Sequence, residues 1–178
     1  MKLFSYFRSS ASYRVRIGLG LKGVARTDLP VNLVANEQQS PDYRKYNEQG
    51  LVPALMLDRG EVIGQSTAIL EWLEDSHPEP PLYPRDAVAR ARMRAWCQHI
   101  ACDMHPLNNL RVLRYLKSTF GQSQEAIDTW YAHWIHTGFA TLEPVVAKLG
   151  GGFSLGDRPG MLEVFIVPQV YNARRFAV

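Results

Sequence analysis

Residues 10–23, SASYRVRIGLGLKG, decide the fold, and they read two ways. Val15, Ile17, Leu19 and Leu21 alternate with Arg14, Arg16, Gly18 and Gly20, the period of a half-buried strand. The same residues make the i,i+4 pairs Val15/Leu19 and Ile17/Leu21, which suit a helix buried on a broad face. Two interior glycines would cost that helix about 1 kcal/mol each against alanine. Periodicity leaves both readings standing. Immediately before lie the short apolar strand KLFSY and then Arg8, Ser9 and Ser10. A helix starting at the serines would leave backbone N–H groups unpaired there, a natural place to hold an anion.

Outward from this stretch the first third keeps alternating. TDLPVNLV (27–34) reads as a strand, and SPDYRKYN (40–47) as a short helix capped by Ser40 with Pro41 in its first position. VPALML (52–57) and EVIG (61–64), divided by Asp58, Arg59 and Gly60, read as a hairpin. QSTAILEWLEDS (65–76) is an amphipathic helix with Ile69, Leu70 and Leu73 facing inward. This order of strands and helices is the thioredoxin-like arrangement. SHPEPPLYP (76–84) holds four prolines in nine residues, which makes it a stiff connector and the place for a domain boundary. The domains expected are residues 1–80 and 85–178. The second reads as all helical: one long helix over 86–119, a second over 123–149 and a third from about 160, broken by FGQSQ and GGGFSLGDRPG.

Bulk properties exclude several classes. With 46% hydrophobic and 21% charged residues, the 178-residue chain can bury a core. No apolar run reaches membrane-spanning length, and MKLFSYFRSS lacks a secretory core, so no membrane association and a cytoplasmic location are expected. Cys97 and Cys102 form no CxxC pair, which argues against dithiol redox chemistry. Residues 1–84 carry nine Lys and Arg against ten Asp and Glu, and residues 85–178 carry eleven against seven. That imbalance is too small for nucleic-acid binding but suits small anions held by local arginines.

Four motifs carry a resemblance: SSASYRVRI near the start, LVPAL with QS twelve residues beyond its proline, CDMHPLNNLRVL, and VPQVYNARRF at the end. The chain resembles the zeta class of glutathione transferases, the maleylacetoacetate isomerases. The resemblance implies an α/β plus all-α fold, an N-terminal thioredoxin-like domain followed by an all-helical one. It implies glutathione as cofactor, a small anionic maleyl substrate and a homodimer.

Each motif has a chemical reading. The resemblance makes Val52–Pro53 a cis bond, exposing Val52's N–H and C=O to pair with glutathione as an added strand. Without the surrounding pattern an ordinary trans proline is the better reading. Gln65 and Ser66 sit at a helix start, where hydroxyl and N–H groups take the γ-glutamyl carboxylate, or Ser66 is a plain N-cap. Ser9 and Ser10 either cap their helix or, as the resemblance implies for Ser10, favour thiolate over thiol at the glutathione sulfur. The resemblance implies that Arg8 and, from the helical half, Arg175 grip the carboxylates of the maleyl dianion as guanidinium forks, with Arg174 facing solvent; the alternative for any single arginine is a plain surface charge. His105, Asn108 and Asn109 follow the family's placement along the cleft wall, with Pro106 kinking the helix. His105 and Asn109 are cofactor-binding candidates, His105 toward the glycyl carboxylate or satisfied by a neighbour. His99, Cys102, Asp103 and His105 lack metal spacing, and no metal is expected. Trp130, Trp134, Phe139 and Leu142 read as core.

The chain also departs from the family pattern. Ala11 stands where many zeta enzymes have cysteine. Gly160 stands where the fold has a capping Ser or Thr, although Glu163 can still reach back to the cap N–H. Relatives continue beyond the equivalent of Val178, so a C-terminal truncation or an altered end is expected. The activity implied is glutathione-dependent isomerisation of maleylacetoacetate to its fumaryl isomer in aromatic amino-acid breakdown. Maleylpyruvate is the near alternative, disfavoured because Leu110 follows Asn109 where relatives acting on it can carry arginine. Conjugation of glutathione to α-haloacids and a non-catalytic module are the remaining readings.

Overall fold

The computed structural model describes residues 1–150 and 152–178, in two compact units, Met1–Pro81 and Leu82–Val178. The first holds a four-stranded sheet in the order β2-β1-β3-β4. Its strands are β1 (Lys2–Ser5), β2 (Thr27–Pro30), β3 (Ala54–Met56) and β4 (Val62–Gly64). Residues 10–23 resolve as a helix, α1 (Ser10–Leu21), which provides the crossover that parallel β1 and β2 require. The short α2 (Pro41–Arg44) is capped by Ser40, whose hydroxyl accepts from Tyr43 N, and α3 (Ser66–Ser76) follows the β3–β4 hairpin.

The burial of α1 shows why alternation misleads. Its inward stripe is Ser12, Val15, Gly18, Leu19 and Lys22, a helical spacing built largely from residues that hydrophobicity does not select. Gly18 lets α1 approach α3, since a Cβ there would overlap the Leu70 Cδ2 methyl. Lys22 is buried because its ammonium donates to Glu74 at 2.9 Å and to the His77 carbonyl at 2.7 Å. Leu3 and Leu55 are fully buried, as are Ile69 and Leu73 of α3. Phe4 and Ala54, the alternate strand positions, pack instead with Val31 and Tyr43.

In the second unit the single helix expected over 86–119 is broken. Helix α4 (Ala87–Gln98) passes into a π-helical segment, His99–Met104, then a 3-10 turn, Pro106–Asn108, and a new helix, α5 (Leu110–Ser118). Pro106 supplies no N–H and Asn109 caps the new helix, its Oδ1 accepting from Arg111 N at 3.0 Å, so the chain restarts instead of kinking. Helix α6 (Gln124–Ala147) is capped by Ser123, and α7 (Met161–Arg175) completes the unit. Gly138 of α6 lies against Met104 of the π-helical segment. The break expected over 150–160 includes Gly151, which lies outside the described residues. At the start of α7, Glu163 accepts from Gly160 N at 2.7 Å, Ser154 N at 2.8 Å and Ser154 Oγ at 2.6 Å. Ser154 thus supplies a hydroxyl anchor, and a side chain at position 160 would press on it, with a Cβ 2.6 Å from its Oγ.

Candidate active site

The sheet register gathers three chain segments at one end of the first unit. Phe4 pairs with Ala54, and Ala54 with Gly64. The exit of β1 toward residues 6–9, the entry to β3 at Val52–Pro53 and the exit of β4 to Gln65–Ser66 therefore meet at that end. Val52–Pro53 is a cis bond, and so is Glu79–Pro80, which no sequence motif marked. The approach to Val52 is held from below: the Leu51 carbonyl accepts from Tyr43 Oη at 2.5 Å and Asn47 Nδ2 at 2.8 Å.

Two helices open at this end on a buried serine. Ser9 is the N-cap of α1, its hydroxyl accepting from Ser12 N at 3.2 Å, and Ser10, 5% exposed, is the first helical residue. The capping and the chemical candidates are thus different serines. Ser66, 6% exposed, is likewise the first residue of α3 and not its cap. The cap is Gln65, and its side chain makes no hydrogen bond to the helix end. Gln65 has φ 66° and ψ 124°, a backbone region that costs a non-glycine residue about 1–3 kcal/mol, and its Nε2 donates to Gln49 Oε1 at 2.7 Å. The first-turn N–H groups of both helices have no intrahelical acceptor and carry the positive end of the helix dipole. An anion is the partner such an arrangement fits.

The two helix starts are linked by a residue that the sequence did not single out. Arg14 is 1% exposed and its Nη1 donates to Ser66 Oγ at 3.4 Å, from a position one helical turn beyond Ser10. An arginine one turn along the face of a buried serine was the available signal. Arg8 is exposed, its guanidinium 5.2 Å from the Phe7 ring centre.

The remaining candidates belong to the second unit. His105 closes the π-helical segment, its N–H donating to the Ile100 carbonyl at 2.9 Å. Asn109 uses its carbonyl oxygen as the α5 cap, which leaves its amide NH2 as the group available for other donation. Asn108 is buried and donates to the Tyr131 carbonyl at 3.1 Å. Arg174 and Arg175 end α7 and are both exposed, with the Arg175 guanidinium 5.1 Å from the Phe176 ring. Trp130 donates to the Leu107 carbonyl at 2.9 Å and meets Trp134 edge-on, but both rings, like Phe139, are only half-buried, so of the four residues expected in the core Leu142 alone is buried. Among the described residues no group of three or more His, Cys, Asp or Glu is placed to hold a metal ion, and no helix is long and apolar enough to cross a membrane.

A thioredoxin-like sheet with two serine-opened helix starts, followed by an all-helical unit, defines the glutathione transferase class of architecture. Residues 3–81 match the family model for the glutathione S-transferase N-terminal domain. Over 180 aligned residues the chain is 46% identical to maleylacetoacetate isomerase of Pseudomonas aeruginosa, covering 100% of this chain and 84% of that one. A holo structure of maleyl pyruvate isomerase, a bacterial zeta-class transferase, superposes with a TM-score of 0.95 at 44% identity, covering 100% of this chain and 84% of its own. Maleylacetoacetate isomerase from Methylobacterium extorquens, solved with malonate and glutathione, gives 0.92 at 34% identity with the same coverage. The chain belongs to the zeta class of the glutathione S-transferase family, alongside the maleylacetoacetate and maleylpyruvate isomerases.

Proposed function

We propose that this chain is a glutathione-dependent maleylacetoacetate isomerase. The observation that carries the reading is the convergence of loop 6–9, Val52–Pro53 and Gln65–Ser66 at one sheet end, with two buried serines opening two helices there. That set fits a short acidic peptide with a thiol. Val52 offers backbone groups for strand-like pairing, and Gln65 with Ser66 offers a helix terminus for a carboxylate. Ser10 offers a hydroxyl and a dipole end that favour a thiolate over a thiol. When bound, glutathione supplies a nucleophilic sulfur that adds reversibly to the conjugated double bond of the maleyl compound and so permits rotation.

The chain's own residues supply the rest. Arg8 and Arg175 bind the carboxylates of the dianion and stabilise the negative charge that builds on its oxygens. His105 and the Asn109 amide take the glycyl end of the peptide. The chain acts in the cytoplasm as a homodimer, which sedimentation tests directly.

Turnover of maleylacetoacetate with and without glutathione tests the function. Many turnovers with no loss of thiol support the isomerase. Consumption of one glutathione per product replaces it with a conjugating transferase, and binding without turnover replaces it with a non-catalytic module. Maleylpyruvate, compared in the same assay, is the competing substrate, since one close structural neighbour acts on it.

A further inference from the structure

The loop that carries Arg8, Ser9 and Ser10 is held from behind by one guanidinium. Arg16 Nη1 donates to Ser5 Oγ and to the Tyr6 carbonyl, each at 3.4 Å, and its Nη2 donates to the Phe7 carbonyl at 3.1 Å. The Tyr6 carbonyl also accepts from Ser9 N at 3.0 Å, closing the turn that leads into α1. Arg16 itself is seated by its guanidinium stacking 5.3 Å from the Tyr13 ring, with Asp28 and Arg26 as charged neighbours. Arg14 and Arg16 leave the helix on different sides, so one arginine reaches Ser66 and the other reaches the loop.

The peptide bonds of this loop are trans. In a trans peptide each C=O and the following N–H point in opposite directions. Holding the Tyr6 and Phe7 carbonyls on Arg16 therefore turns the N–H groups of Phe7 and Arg8 away from it, and fixes the chain direction from which Ser9 and Ser10 enter the helix. Three acceptors on three successive residues call for a planar fork. A lysine head, one nitrogen on a flexible stem, cannot span them with the same geometry.

We propose that Arg16 is a positioning residue, clamping residues 5–7 so that the Ser10 end of α1 is held ready to stabilise the glutathione thiolate. This rests on the reading of Ser10 given above, and the experiment separates the two. Glutathione is titrated with pH on the parent chain, Arg16→Met, Arg16→Lys and Ser10→Ala, following the ultraviolet absorbance of the bound thiolate. Circular dichroism and urea denaturation check folding, and amide exchange over residues 6–10 is read in parallel.

Arg16→Met is expected to raise the bound thiol pKa by about one unit, cutting the thiolate fraction below that pKa about tenfold. Glutathione affinity should change less, by about threefold or under, because Gln65, Ser66 and Val52 are untouched. Exchange over residues 6–10 should quicken. A folded Arg16→Met protein with the parent's thiol pKa overturns the clamp. If Arg16→Met does not fold, Arg16→Lys decides: it keeps the charge and loses the fork, so a parent-like pKa there overturns positioning and a raised one supports it. Should Ser10→Ala move the pKa while Arg16→Met does not, the clamp falls alone. Should Arg16→Met move it while Ser10→Ala does not, the serine's assignment falls and the clamp stands. No bound-thiolate signal in the parent sinks both.

Discussion

Tyr43 shows how a residue outside the candidate site can hold the backbone that leads into the Val52–Pro53 bond. Its hydroxyl donates to the Leu51 carbonyl, next to Val52, and burial, partly countered by the Asn47 hydrogen bond, raises the phenol from 10.0 to about 12. A tyrosine with a raised folded pKa contributes stability that is complete below pH 10 and is lost as pH climbs toward 12, because the unfolded chain gives up its proton first. Tyr131 is raised as well, by burial, and steepens the same limb. Tyr43→Phe should therefore flatten the loss of stability over that interval while costing about 1 kcal/mol at neutral pH for the missing hydrogen bond. Urea midpoints measured from about pH 8 to about pH 12 check both. At this scale Ser10, Ser66 and the Val52–Pro53 bond could be found from motifs, because each imposes a local residue type. Arg14 left only its spacing of one turn from Ser10, and Arg16 left nothing: the contacts that give them a role join them to Ser66 and to the loop after β1, and tertiary partners leave no mark in hydropathy.

Among elements, the strand–helix order of the first unit was legible because turn residues punctuate it, and the hairpin and its helix fall within the segments expected, with strands shorter at their ends. Two elements were not. The stretch now seen as α1 hides its period, since its buried face uses serine, glycine and a paired lysine. The apparent long helix over 86–119 showed only its proline, read as a kink at Pro106, and hid the turn before it, because a π-helical turn changes hydrogen-bond partners without changing composition. That turn is packed around a missing side chain. A Cβ on Gly138 would overlap the Met104 side chain, and the same glycine's carbonyl lies 3.2 Å from His99 Nε2. Gly138→Ala gains helix propensity of about 1 kcal/mol but overpacks by about 1–3 kcal/mol, so net destabilisation of about 1 kcal/mol is expected. In a Met104→Ala background the added methyl enters a cavity, and the same substitution should become stabilising. Four urea curves, one for each corner of that cycle, measure the coupling. Strict additivity would mean the two side chains do not contend for this space.

For the whole molecule, charge is distributed more informatively than its total suggests. The formal net charge is +3, yet the division at Pro81 leaves the first unit with ten acidic against nine basic residues and the second with seven against eleven. A maleyl dianion is drawn by such a field, but weakly, because a few local arginines and not a dense basic surface create it. Screening shortens the reach of exposed charges from about 30 Å at 0.01 M salt to about 8 Å at 0.15 M. With glutathione saturating, kcat/KM for the dianion should therefore fall about two- to threefold across that range, while an uncharged electrophile changes little. Stopped-flow rates at matched pH make the comparison. Equal sensitivity of charged and uncharged substrates would place the salt effect on the fold or on glutathione and remove long-range attraction from the account. A loss of tenfold or more would demand a concentration of positive charge that a net charge of +3 does not suggest, and would send the search to the arginines of α4, where Arg90 and Arg94 both lie over the Tyr83 ring.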